Sequence, residues 1–165
     1  METQARLIVD IARLDEDGES FSGETDAEAL DFAGAKALCT PVGGIRYSVR
    51  VERIDSELLI RGHISHLFAC VCSRCARRFE LEVADSSFFA NFPITETTEF
   101  VDLTPEMREA IILALPGYPV CREDCKGLCA HCGADLNSKP CSCRPEAGDA
   151  SPWAALDQLG GKPKR

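Results

Sequence analysis

The constraint that weighs most on this chain is the spacing of its cysteines. Cys72 and Cys75 form a C-x2-C pair. Cys121, Cys125, Cys129, Cys132, Cys141 and Cys143 then crowd into 23 residues further along. The stretch from Cys121 to Cys143 has no apolar core of its own, so burial alone does not offset the entropy of ordering it. Thiolates at such spacings suit a soft cation that prefers tetrahedral sulfur, and zinc is the usual one. Eight ligands suffice for two four-cysteine sites, so one or two zinc ions are expected.

At 165 residues the chain supports one domain of ordinary size, with room for a small metal-stapled appendage. No apolar run approaches the roughly 20 residues that span a bilayer. The start Met1-Glu2-Thr3-Gln4 lacks the basic and apolar regions of a secretory signal. A cytoplasmic location is therefore expected, and there clustered cysteines are more often metal ligands or redox groups than disulfides. The formal charge of −9 is unevenly placed. Residues 1–31 carry 10 acidic and 2 basic side chains, whereas the rest is near balance with 17 and 16. Arg74, Arg77, Arg78, Arg122, Lys126, Lys139 and Arg144 lie beside the cysteines. They can offset the excess negative charge of the thiolates, or they can touch RNA phosphate. The first role is favoured, because strong non-specific nucleic-acid binding needs a clear basic excess.

Periodicity places the secondary structure. Residues 5–14 are apolar enough for a strand, and residues 24–37 read as a short helix or an irregular segment. Pro41-Val42-Gly43-Gly44 reads as a turn. From Ile45 the pattern is clear: Ile45, Tyr47, Val49 and Val51 alternate with polar residues. Leu58, Ile60 and Ile64 continue it after a turn at Asp55-Ser56, then Phe68, Cys70 and Cys72 share a face, then Phe79, Leu81 and Val83. Short connections between such segments favour an antiparallel meander, with Cys72 and Cys75 in its last hairpin turn. Phe88, Phe89 and Phe92 follow as core. A helix is predicted from Thr104 as N-cap, with Pro105 at its first position and Met107, Ala110, Ile111, Ala114 and Leu115 on one stripe. Pro116-Gly117 ends it. After a linker, Trp153, Leu156 and Leu159 can share one face of a short helix. There are no internal repeats. The fold class expected is α+β: an antiparallel β-meander with one packed helix and a C-terminal cysteine-rich zinc module. Its parts are an acidic N-terminal segment at 1–44, a core at 45–120, a zinc-binding module at 121–145, and a linker, short helix and basic tail at 146–165.

Cys129-Ala130-His131-Cys132-Gly133 has the form of a metal knuckle, in which a glycine after the second cysteine takes positive φ. Cys141 and Cys143 can close that site. Cys121 and Cys125 then need Cys72 and Cys75 as partners. Two other arrangements stand beside this one: Cys121 or Cys125 joins Cys129 and Cys132, or Cys72 and Cys75 act as a redox dithiol. Cys39 and Cys70 lie outside the pattern, and Cys70 reads as a buried thiol. His131 reads as solvent-facing. No phosphate loop, dinucleotide loop, nucleophile elbow or zinc-protease helix occurs in the sequence. A non-enzymatic role is therefore expected.

Several strings resemble the YceD-like family of large ribosomal RNA subunit accumulation proteins. They are Cys72-Ser73-Arg74-Cys75 with Phe79, Arg108-Glu109-Ala110-Ile111-Ile112-Leu113-Ala114-Leu115-Pro116, and Cys121-Arg122-Glu123-Asp124-Cys125-Lys126-Gly127-Leu128-Cys129 running into Cys132-Gly133-Ala134-Asp135-Leu136-Asn137. The resemblance covers about residues 45–159, ending with Pro152-Trp153-Ala154-Ala155-Leu156. It implies a cytosolic ribosome-biogenesis factor that supports accumulation or processing of 23S ribosomal RNA. The expected partner is a ribosomal protein or precursor particle, with direct RNA contact through Arg74, Arg77 and Arg78 a weaker option. A thiol redox protein using Cys72 and Cys75 is the alternative.

Overall fold

The structure, a computed structural model, describes residues 3–4, 6–26 and 38–143. The chain divides into two compact units, Met1–Cys125 and Lys126–Arg165. The expected short helix around Trp153 lies outside the described residues, as does most of the 24–37 segment.

Among the described residues, the first unit holds a five-stranded sheet, a two-stranded ribbon and one helix. Its elements are β1 (Thr3–Gln4), β2 (Ile8–Asp10), β3 (Glu19–Thr25), β4 (Cys39–Ile54), β5 (Glu57–Val71), β6 (Arg78–Pro93), β7 (Phe100–Asp102) and α1 (Thr104–Ala114). The sheet order is β1-β3-β4-β5-β6, and β2 pairs with β7. From β3 to β6 every neighbouring pair is antiparallel, so the meander is as its alternating residues require. Ile45, Tyr47, Val49 and Val51 of β4 are buried, as are Leu58, Ile60, Ile64 and Phe68 of β5. Met107 and Ile111 of α1 and its C-cap Leu115 pack into the same core, and each such side chain stabilises the fold by about 1.5–3 kcal/mol.

Several local expectations are corrected. Glu24 and Thr25 belong to β3, a strand whose single large apolar residue, Phe21, left no alternation to read. The segment Pro41-Val42-Gly43-Gly44 is no turn between strands. It is a bulge inside β4, where the register against β5 shifts between Val42 and Arg46. The bulge holds because Gly44 lies against the Thr25 backbone, where a β-carbon would come within 1.6 Å of the Thr25 carbonyl oxygen. Residues 57–64 and 66–72 are not two strands but one, β5, with the fully buried His66 bound through Nδ1 to the Gly44 carbonyl at 2.9 Å. Phe88 is core, but Phe89 is 61% exposed. Thr104 is not the N-cap: Leu103 is, without a side-chain bond. The Thr104 hydroxyl instead accepts the Leu7 N–H at 3.1 Å, and Asp102 Oδ1 takes the Thr104 N–H at 2.9 Å. Ribbon and helix are thereby tied at one point.

Cys70 is not a lone buried thiol. It stands directly opposite Cys39 in the β4–β5 register and is joined to it by a disulfide, with Cα atoms 4.1 Å apart. No helix among the described residues is long and apolar enough to cross a membrane.

Candidate metal centres

Each cysteine set starts from a knuckle, and the two knuckles are built alike. In the first, the Cys72 N–H donates to the Arg77 carbonyl at 2.8 Å and the Ala76 N–H donates to the Cys72 carbonyl at 2.9 Å. In the second, the Cys129 N–H donates to Ala134 and the Gly133 N–H to Cys129, both at 2.9 Å. The residue after the second cysteine is left-handed in both, with φ of 57° at Ala76 and 71° at Gly133. A glycine marks the left-handed residue of such a turn in a sequence and an alanine does not, so the shared C-x2-C spacing was legible in the residues while the matching conformation at Ala76 was not. The chain therefore repeats a structural element with little beyond that spacing to mark it.

In the first unit the hairpin between β5 and β6 presents Cys72 and Cys75. The segment after α1 is held against it by the Ser73 N–H, which donates to the Pro119 carbonyl at 2.8 Å. Arg74 Nη1 donates to the carbonyls of Glu123 and Cys125 at 3.1 and 3.0 Å. Cys72, Cys75, Cys121 and Cys125 come together there, all four sulfurs within 4.8 Å of one another. Phe79 and Val120 pack beside them. The Cys72–Cys125 and Cys75–Cys121 sulfur separations are 3.9 and 3.7 Å. A tetrahedral site with metal–sulfur bonds of about 2.3 Å has edges of about 3.8 Å, so this donor set fits a divalent ion of zinc's size.

In the second unit Cys129, Cys132, Cys141 and Cys143 gather within the same limit, with Cys129 and Cys141 sulfurs 3.3 Å apart. A loop organised by Asn137 returns Cys141 and Cys143 to the knuckle. The Asn137 side-chain oxygen accepts the Lys126 N–H at 2.9 Å, and Asp135 Oδ1 accepts the Asn137 N–H at 2.9 Å. Gly127, at φ 76°, supports the Leu136 N–H on its carbonyl. His131 is exposed.

The electrostatics of both clusters call for a cation. Burial pushes the Cys72 thiol up, but the backbone amides of Cys121, Cys75 and Arg74 outweigh it and hold Cys72 at about 6. The amides of Cys132 and His131 hold Cys129 at about 6. Their neighbours are driven the other way. Cys121 is pushed up to about 12 by burial and the adjoining sulfurs, and Cys143 to about 12, first by the Cys132 sulfur. One sulfur of each cluster ionises readily, while Cys75 and Cys121 in the first and Cys141 and Cys143 in the second resist ionisation. A bound divalent ion removes that resistance.

A family model described as large ribosomal RNA subunit accumulation protein YceD matches residues 88–160. An uncharacterised protein of Mycobacterium tuberculosis is 32% identical, over 94% of this chain and 82% of its own length. A Zea mays protein named large ribosomal RNA subunit accumulation protein YCED homolog 1, chloroplastic, is 41% identical, over 78% of this chain and 60% of that protein. No solved structure matches.

Proposed function

This chain belongs to the YceD family, named for accumulation of the large ribosomal RNA subunit, and we propose on that premise that it is a non-enzymatic factor in large-subunit biogenesis. It supports accumulation or processing of 23S ribosomal RNA by holding a ribosomal protein or a precursor particle. The observation that carries this reading is the closed character of the cysteine clusters. Each offers four sulfurs and no other ligand type, and an all-cysteine tetrahedral site leaves no position open for substrate. We assign zinc to both. When bound, the ion neutralises part of the thiolate charge and ties each knuckle to its partner segment. The chain's own residues do the rest: Arg74 braces the 121–125 loop, and the amides of each knuckle direct hydrogens at the first sulfur. The reducing cytoplasm is the compartment we propose, since it keeps clustered thiols available to metal, while burial of Cys39 and Cys70 inside the sheet shields their disulfide from its reductants.

A protein partner is favoured over naked RNA. The net charge of −9 repels phosphate, while Arg74 spends its guanidinium on backbone carbonyls and Arg122 pairs with Asp124 at 3.1 Å. The redox alternative has one observation behind it, the low Cys72 value. Against it, Cys72 is only 2% exposed and Cys75 only 8%, so neither sulfur is open to attack a substrate disulfide. Depletion followed by measurement of 23S RNA and 50S particles tests the proposal. A fall in both is expected, and unchanged levels refute it.

A further inference from the structure

We infer that the outer edge of β6, where it meets α1, is a docking groove in which a basic, extended segment of a partner protein adds a strand to the sheet. This rests on the biogenesis reading only for the class of partner; the groove itself follows from geometry. Among the described residues, β6 pairs with β5 alone. A 16-residue edge strand with one side unpaired offers a row of N–H and C=O groups to any extended chain. Part of that edge is blocked. Ser86 and Ser87 together oppose one β5 residue, His63, because the register shifts between Gly62 and Ile64. The Asp85 carboxylate takes both the Ser87 N–H and its hydroxyl, at 2.8 and 3.0 Å. Such a bulge bends an edge and stops pairing across it.

Beyond the bulge the edge is open. Residues 88–91 form one wall of a cleft of about 320 Å³, and Glu106, Glu109, Ala110 and Leu113 of α1 form the other. Inward-facing Phe88 and outward-facing Phe89 both line it, which requires the strand's edge itself to be the wall. Phe89 and Leu113 reach it from different elements and are 61% and 77% exposed. The ionisable groups on its walls are acidic, Glu106 and Glu109. Glu106 Oε2 is buried and makes no hydrogen bond. An extended segment alternates its side chains, so apolar residues can meet Phe89 and Leu113 while lysines or arginines reach the two carboxylates. Nucleic acid does not suit these walls, because both charges repel phosphate.

The test uses the full chain and a short fluorescent peptide alternating lysine and valine, followed by anisotropy. Saturable binding that weakens with salt is expected, together with loss of at least about fivefold in affinity for Leu113→Arg and for Glu109→Arg. Both positions are exposed, so their melting curves should match the wild type. The inference is overturned if the peptide does not bind, if both variants bind it as well as the wild type, or if its Lys→Glu counterpart binds equally. A stable dimer broken by Leu113→Arg also overturns it, by putting a second copy in the groove. In depleted cells, wild type should restore 23S RNA and the variants should not. Full rescue by the variants sinks the groove and leaves the biogenesis reading standing. Unchanged 23S RNA on depletion sinks that reading, and the peptide data then decide the groove alone.

Discussion

Ala76 and Gly133 hold the same place in two matching knuckles, yet only one is a glycine. A left-handed conformation costs an L-residue roughly 1–2 kcal/mol. Ala76→Gly removes that cost at φ 57° but gives the unfolded chain extra freedom worth about 0.4–1 kcal/mol. The balance is about 0.5–1 kcal/mol in favour of the formed knuckle. Gly133→Ala runs the same argument backwards. A β-carbon there meets nothing within 4 Å, so no clash is added, and backbone strain less the reduced freedom of the unfolded chain costs the knuckle about 0.5–1 kcal/mol. Because the turn is formed with its metal, each change should appear in metal affinity. Ala76→Gly should tighten the first centre about two- to fivefold, and Gly133→Ala should loosen the second by a similar factor. Competition against a chromophoric chelator measures both, with Cys132→Ser in the background to isolate the first centre. Ala76→Val, bulkier and β-branched, should loosen it further than alanine does. If Ala76→Gly weakens the first centre, or if both glycine–alanine exchanges shift affinity in one direction, the shared-knuckle reasoning is wrong.

Three further outcomes follow from the geometry. Loading zinc at pH 7.5 should release fewer than four protons per centre, because Cys72 and Cys129, held at about 6, are already ionised. Affinity should fall as pH drops through that value and those sulfurs are protonated; a pH-independent affinity between 5 and 8 would contradict it. Alkylation in denaturant with chelator and without reductant should leave Cys39 and Cys70 unlabelled and linked, whereas labelling of all ten cysteines would show that pair to be reduced. Thr104→Val leaves the Leu7 N–H without its acceptor in a buried place, at a cost of about 1–3 kcal/mol. Calorimetry should show a melting point several degrees lower, and an unchanged one would mean that another group takes the bond.

What the residues determined alone was local. Alternation from Ile45 onward specified buried strands, because a half-buried strand must place apolar side chains on every second residue. The C-x2-C spacings specified knuckles, because a sulfur pair can face one point only across a tight turn. The stripe of Met107, Ile111 and Leu115 specified the packed face of α1. What tertiary structure decided was long-range. Nothing local joins Cys72 and Cys75 to Cys121 and Cys125; their meeting depends on where α1 delivers the chain after it packs. The left-handed alanine at position 76 is held by the hairpin, against its own preference. Phe89 is exposed because it follows inward-facing Phe88 on the same strand, and only the tertiary structure shows that the opposite face of the sheet there is uncovered. The disulfide is the sharpest case. The Arg46↔Ser65 register, carried on without a bulge, would set Cys39 opposite Cys72; the shift at residues 43–45 sets it opposite Cys70 instead. Two residues of slip, held by a glycine pressed on the Thr25 backbone, separate a disulfide partner from a metal ligand.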